Sequence, residues 1–312
     1  MLARRLTVSG ACGVVGLAVV LVGLIVPQIN HAAGRSLTAI TVTPSNPTIA
    51  PGQTQSFTAT GTFSDGSMQV LNTGGGAWAA TGSLTTARFY HSATLLQDGS
   101  VLVVGGYNSA GITQASTERF YPASGTWVPA GSMASARLAH TATLLPSGKV
   151  LIAGGLRYPD NTVFNTTELY DPNTNSWSAG PPLTLGPRSG HSAVLLATGK
   201  VLVAAGLQIY PSCTYLASAE LYDPAANSWT STGSLSLGRS SATTTILANG
   251  KVLLAGGPEN NCPSPNNGLS NAEVYNPATG TWSVTGSLSS SRYSNTITLL
   301  GSGRVLLGGG YS

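Results

Sequence analysis

From residue 88 onward the apolar and polar positions follow a pattern that recurs. Arg88 opens a polar and aromatic stretch (Phe89, Tyr90, His91), an apolar run reaches Leu95 and Leu96, and Asp98-Gly99 interrupts it. A second run, Val101 to Val104, ends in Gly105-Gly106, and Glu118, Phe120 and Trp127 follow. The five tryptophans stand at 78, 127, 177, 229 and 282, the opening arginines at 88, 137, 188, 239 and 292, and the turn glycines at 99, 148, 199, 250 and 303. Double glycines close the second run at 105/106, 154/155, 256/257 and 308/309, with Ala205-Gly206 as the third version. Glu118, Glu168, Glu220 and Glu273 share a register, as do Phe120, Tyr170, Tyr222 and Tyr275. Such self-similarity decides the architecture before local propensity does.

Each unit predicts four strands. An inner strand runs from the histidine position to the leucines, a tight hairpin turns at X-Gly, and a second strand ends in the double glycine. A third strand carries Glu and the aromatic, and a fourth carries Trp. The first two strands are apolar on both faces, which suits strands held between other sheets. One sheet cannot cover both of its own faces, whereas radially arranged blades can. The double glycine, the third-strand Tyr and the outer Trp in units of this length resemble the kelch repeat, which implies an all-β, kelch-type β-propeller over residues 77–312. Four units are complete and a fifth ends just after its glycines, so a truncated or unusually small ring is expected. Trp78 is a candidate outer strand for the fifth blade.

Two further segments precede the repeats. Residues 6–26 contain no charge and follow Arg4 and Arg5, the pattern of a cleaved secretory signal or of a retained N-terminal anchor spanning the membrane. Residues 1–34 are therefore assigned as signal peptide or signal anchor, and the remainder is expected to be extracellular or at the cell surface. Residues 35–76 alternate at 37–42 and 55–60 between Pro, Ser, Asn and Gly punctuation. Val42-Thr43-Pro44, the stretch from Gln55 to Gly61 and Asp65-Gly66 resemble the first half of a bacterial Ig-like domain of the Big group 2 type. The resemblance implies a partial Ig-like segment, a frequent spacer in surface proteins.

Composition narrows the function classes. Of 312 residues 42% are hydrophobic and 8% charged, with 39 Gly and 18 Pro, as a turn-rich all-β protein requires. The net charge of +4 reflects scarce charges, and no Lys/Arg cluster suits nucleic acid. Most charges hold repeat registers. Each Glu precedes the next unit's Arg by 19 or 20 residues, which points to a repeated structural ion pair. Nothing suggests the facing carboxylate pair of a glycosidase.

Three candidate chemistries remain. His91, His140 and His191 stand three residues after their arginines, at the heads of inner strands, where imidazoles could converge on a transition metal. Arg88-Phe89-Tyr90-His91-Ser92, with the following leucines and Asp98-Gly99, resembles galactose oxidase and related copper-radical oxidases. That resemblance implies copper held by Tyr90, His91, His140 and His191, and is the enzyme alternative. The position of Tyr90 holds Ala139, Gly190, Ser241 and Ser294 elsewhere, so a role for histidine as repeat structure is favoured, with no cofactor. Cys213 and Cys262 occupy equivalent loops of adjacent units in an exported chain and are expected to form a disulfide. Finally, the loops at 107–116, 156–165, 207–217 and 258–270 vary most and are placed on the face of the Arg/His strand heads. Variable loops on a rigid scaffold are where binding is built. Tyr158, Phe164, Tyr210, Tyr215, Asn260 and Asn261 are the candidate contacts for a carbohydrate or a surface protein. The chain reads as an exported or membrane-anchored binding module, with a truncated repeat protein lacking activity of its own as a third possibility.

Overall fold

The computed structural model describes residues 37–43, 58–70, 81–209, 212–258 and 268–311, and it carries no helix there. The expected signal or anchor helix at 6–26 lies outside these residues. Among the described residues no helix is long and apolar enough to cross a membrane.

A first unit ends at Ser83. Its described part is a three-stranded antiparallel sheet of Leu37–Thr43, Thr58–Phe63 and Met68–Val70, in that order. Asp65 shapes the turn between the second and third strands by accepting from Ser67 N–H (2.9 Å), with Gly66 at φ 78°.

The second unit, from Leu84 onward, holds the repeats. Each of the first four forms a four-stranded antiparallel meander in sequence order. In blade one the strands are Ser92–Leu95, Val101–Val104, Thr117–Tyr121 and Thr126–Ala130. The fourth blade repeats them as Thr243–Ile246, Val252–Ala255, Ala272–Asn276 and Thr281–Thr285. Registers match across blades: Val101 faces Phe120, Val201 faces Tyr222 and Val252 faces Tyr275. Among the described residues blade five has two strands, Thr296–Leu299 and Val305–Gly308, and the expected outer strand at Trp78 lies outside them. The inner strands of successive blades are neighbours, so the blades stand side by side about a common inner edge.

The predicted hairpins form with the glycine where a positive φ is needed. Gly99 (φ 84°) donates to Leu96 O, and Leu96 N–H donates to Ser100 O at 2.8 Å. The same bonds recur at 145/149, 196/200, 247/251 and 300/304.

The core lies between blades and repeats with them. Leu102, Val104, Met133, Val150, Ile152 and Tyr170 fill the first junction. Leu151, Ala153, Leu183, Val201, Val203 and Tyr222 fill the second, and Leu202, Ala204, Leu235, Val252, Leu254 and Tyr275 the third. Burying such side chains contributes about 1.5–3 kcal/mol each, which is why both faces of the second strand are apolar. Each third-strand aromatic also lies against its own blade's Trp, with centroids 5.0 Å apart for Phe120 and Trp127.

The ion pair exists, but with a different partner from the one the spacing suggested. Each Glu meets the Arg of its own unit: Arg88 with Glu118 (2.9 Å), Arg137 with Glu168 (2.6 Å), Arg188 with Glu220 (3.1 Å) and Arg239 with Glu273 (2.8 Å). The guanidinium also donates to the first-glycine carbonyl (Arg88 to Gly105 O, 2.9 Å) and to the loop before the third strand (Ser116 O, 2.8 Å). The second carboxylate oxygen takes a backbone N–H, as Glu168 does from Ala134 at 2.7 Å. Burial lowers the pKa of these arginines, and the paired glutamate opposes the shift. Charges this deep are tolerated because the terminal amino groups and the carboxylate oxygens are multiply bonded, although the buried Nε atoms of Arg137 and Arg188 meet no partner.

Candidate functional site

The strand heads form a girdle from blade to blade. Tyr90, Ala139, Gly190, Ser241 and Ser294 all have positive φ between 48° and 59°. In that conformation Ala139 N–H donates to Tyr90 O, Gly190 to Ala139 O, Ser241 to Gly190 O and Ser294 to Ser241 O. One residue outward, side chains make a parallel set. His140 Nε2 lies 2.8 Å from Ser92 Oγ, and His191 Nε2 lies 2.8 Å from Thr141 Oγ1. Where histidine is replaced, the link is kept by other means: Ser192 Oγ donates to Ala242 O (2.7 Å) and Asn295 Nδ2 to Thr243 Oγ1 (2.7 Å).

Histidine is thus an inter-blade tie. The Nε2 atoms of His140 and His191 are each committed to the preceding blade's hydroxyl, His91 Nδ1 sits 3.1 Å from Arg88 O, and the Tyr90 side chain is 67% exposed. Among the described residues no group of three His, Cys, Asp or Glu could hold a metal ion. His191 is held neutral: burial lowers its pKa to about 3, with smaller contributions from Arg188 and His140.

Just above the girdle the loops bring aromatic rings together. The Phe89 ring lies 5.3 Å from Tyr90 and 4.9 Å from Tyr107, and Tyr107 lies 5.6 Å from Tyr158 in an edge-on pair. Phe89 is 46% and Tyr158 45% exposed, and Ile112 also projects from the 107–116 loop. The backbone makes this ladder firm. Phe89 and Tyr107 exchange N–H to carbonyl bonds at 2.9 Å, and Asn108 Oδ1 accepts from Ala110 and Ile112 N–H. Thr113 Oγ1 donates to Tyr158 O (3.1 Å) and accepts from Tyr158 N–H (2.9 Å), tying the loop of blade one to that of blade two. At its border Arg157 and Asp160 form an exposed ion pair, in which Arg157 holds the Asp160 carboxyl at about 2. Contiguous exposed aromatic surface on a rigid frame is the ordinary mark of a contact site.

The other predicted contacts fall elsewhere. Phe164 is half-buried with its ring 4.8 Å from the Arg137 guanidinium and 5.9 Å from that of Arg157, so it roofs a structural ion pair. Tyr215 is 8% exposed, and burial raises its phenol pKa. Tyr210, Asn260 and Asn261 lie outside the described residues. Cys213 is disulfide-bonded, while its expected partner Cys262 lies outside them. Phe89, Tyr107 and Ile112 were missed by the sequence reading. The signal available for Phe89 was its place beside Tyr90, where the other units carry Leu138, Ser189, Ser240 and Tyr293.

Comparison with known proteins agrees with this architecture. The Kelch motif matches at residues 88–134 and 137–184, the first two blades. A solved kelch-type β-propeller, titled "Structure of YjhT", is similar over 81% of this chain and 84% of its own, with a TM-score of 0.62 and 18% identity. That is a likeness of fold. No curated protein matches the chain.

Proposed function

We propose that this chain is an exported binding module whose ligand is a carbohydrate, met by the ladder of Tyr90, Phe89, Tyr107 and Tyr158. Kelch repeats are in general interaction scaffolds, which supports the coarser statement that the module binds. The single observation that carries the finer one is the ladder itself: rings from two blades, locked by Thr113, with Phe89, Tyr90 and Tyr158 largely open to solvent. Aromatic rings offer faces to the C–H side of a sugar, and phenol hydroxyls can bond its oxygens. Export is supported by the uncharged run at 6–26 behind two arginines and by the disulfide at Cys213, since such bonds persist in oxidising compartments.

The test is a glycan array probed with the wild-type chain and with Tyr158→Ala. Binding to a defined glycan set that drops at least about tenfold in the variant is the expected result. An array without signal, or one unaffected by the change, overturns the carbohydrate and turns the search to a protein partner.

A further inference from the structure

Two charges on the loop face belong to no repeat register. Arg157 and Asp160 sit in the loop of blade two, whereas the corresponding loops of blades one and three, 107–116 and 207–217, carry no charge. Leu156–Arg157 and Thr162–Val163 pair as a short ribbon. Tyr158 to Asn161 make its tip, with Asn161 at φ 54°. This turn brings Asp160 back onto Arg157. The guanidinium Nε donates to Oδ1 (3.2 Å) and Oδ2 (3.0 Å), and Nη2 donates to Oδ2 (2.5 Å). Oδ1 also accepts from Thr162 N–H (3.4 Å). The remaining amino group, Nη1, makes no bond among the described residues.

The pair does little for the fold. Its side chains are 45% and 47% exposed, and ion pairs so open to water contribute little to stability. The loop is held instead by the ribbon and by the two bonds between Thr113 and Tyr158. What the pair offers is a donor and acceptors side by side, two residues from the Tyr158 ring that ends the ladder. The carboxyl stays ionised far below neutral pH because Arg157 bonds it. The charge balance around it is equally informative. Every Lys, Arg, Asp and Glu of blades one and two is paired. Arg88 with Glu118 and Arg137 with Glu168 lie inside, Arg119 with Asp98 and Lys149 with Asp171 lie toward the hairpin ends, and Arg157 with Asp160 lies on the loop face. In these two blades no uncompensated charge of that kind is available for a carboxylate, a sulfate or an ammonium group.

We propose that the ligand of the ladder is a neutral glycan, one sugar of which lies on the Tyr158 ring while two neighbouring hydroxyls bridge the Arg157–Asp160 pair. One hydroxyl donates to an Asp160 oxygen and the next accepts from Arg157 Nη1. A hydroxyl can play either part and carries no charge, so a vicinal diol matches the pair. An acidic sugar would instead meet the Asp160 carboxylate at close range, which like-charge repulsion disfavours. Hydrogen bonds to ionised groups are the stronger kind. Asp160 is therefore the specificity-determining residue, and the rings supply the apolar contact. This rests on the reading of the ladder as a carbohydrate site and narrows the class of sugar it takes.

The test is an array carrying neutral oligosaccharides beside uronic, sialylated and sulfated glycans, probed with the full chain and with Asp160→Asn. Wild type should capture neutral members. Asp160→Asn should weaken that capture at least about tenfold, from loss of a charged hydrogen bond. By leaving Arg157 uncompensated it should also raise the binding of acidic glycans. Its melting temperature should match that of wild type, because the pair is exposed, so the loss is read in a folded protein. Preferential capture of acidic glycans by wild type overturns the proposal, and so does neutral capture that Asp160→Asn leaves unchanged. In either case the ladder still stands as a carbohydrate site if Tyr158→Ala loses binding. An array without any signal overturns both readings.

Discussion

At the scale of single residues, the repeat separates structural from available side chains. His191 shows how. It is fully buried and neutral, tied to Thr141, and faces Arg188 and His140. A histidine free in the unfolded chain takes a proton near pH 6.5, whereas the folded site resists until about pH 3. The unfolded state therefore binds more protons between those values, and stability conferred above pH 6.5 is lost as pH falls through that window. Melting temperature should drop on acidification from pH 7 to 4, and His191→Asn should flatten the drop, because Asn295 already makes the equivalent bond without titrating. An equally steep profile in the variant would place the acid sensitivity elsewhere. The ion pairs predict a second effect: Glu220→Gln strands Arg188 in an apolar junction and should cost about 3–5 kcal/mol in denaturant unfolding. A loss comparable to that of an exposed pair would show that the bonds of Arg188 to Ala205 O and Ser218 O suffice.

At the scale of elements, the strands and hairpins were legible because each depends on local alternation and on a glycine at a fixed offset. The partner of each Glu was not. A spacing of 19 to the next Arg and of 30 to its own look alike along a chain, and only the antiparallel return of the third strand brings Glu118 to Arg88. The ladder was half legible for the same reason: Tyr90 and Tyr158 stood out as unrepeated aromatics, but Phe89 and Tyr107 meet through a bridge between strand head and loop. Tyr215 sits in an equally variable loop yet turns inward, since loop variability does not report side-chain direction. The double glycines make a testable case. A methyl at Gly154 (φ 58°) would strike the Arg188 carbonyl and lie 2.8 Å from His191, whereas Gly125 (φ 67°) has nothing within 4 Å. Gly125→Ala should cost only the left-handed penalty of about 1–2 kcal/mol, and Gly154→Ala at least about twice that. Equal costs would mean the girdle yields to the methyl.

At the scale of the whole molecule, the second unit is a row of blades stabilised by nearest-neighbour junctions, so stability should vary along it. The second strand of blade four is almost wholly buried, while Val305–Gly308 is only half-buried and, among the described residues, paired on one side. Backbone amides of residues 305–308 should exchange with solvent at least about tenfold faster than those of 252–255. Matching rates would indicate that the edge is already covered.

We propose a division of labour in which buried registers hold the blades and the unrepeated rings on the loop face bind. Its most direct test is to measure binding and stability together in Tyr90→Ala/Tyr158→Ala, using a glycan that wild type captures. These side chains are exposed by 67% and 45%, so the melting temperature should stay within about 2 °C of wild type while affinity falls at least about tenfold. Unchanged affinity at unchanged stability would contradict it.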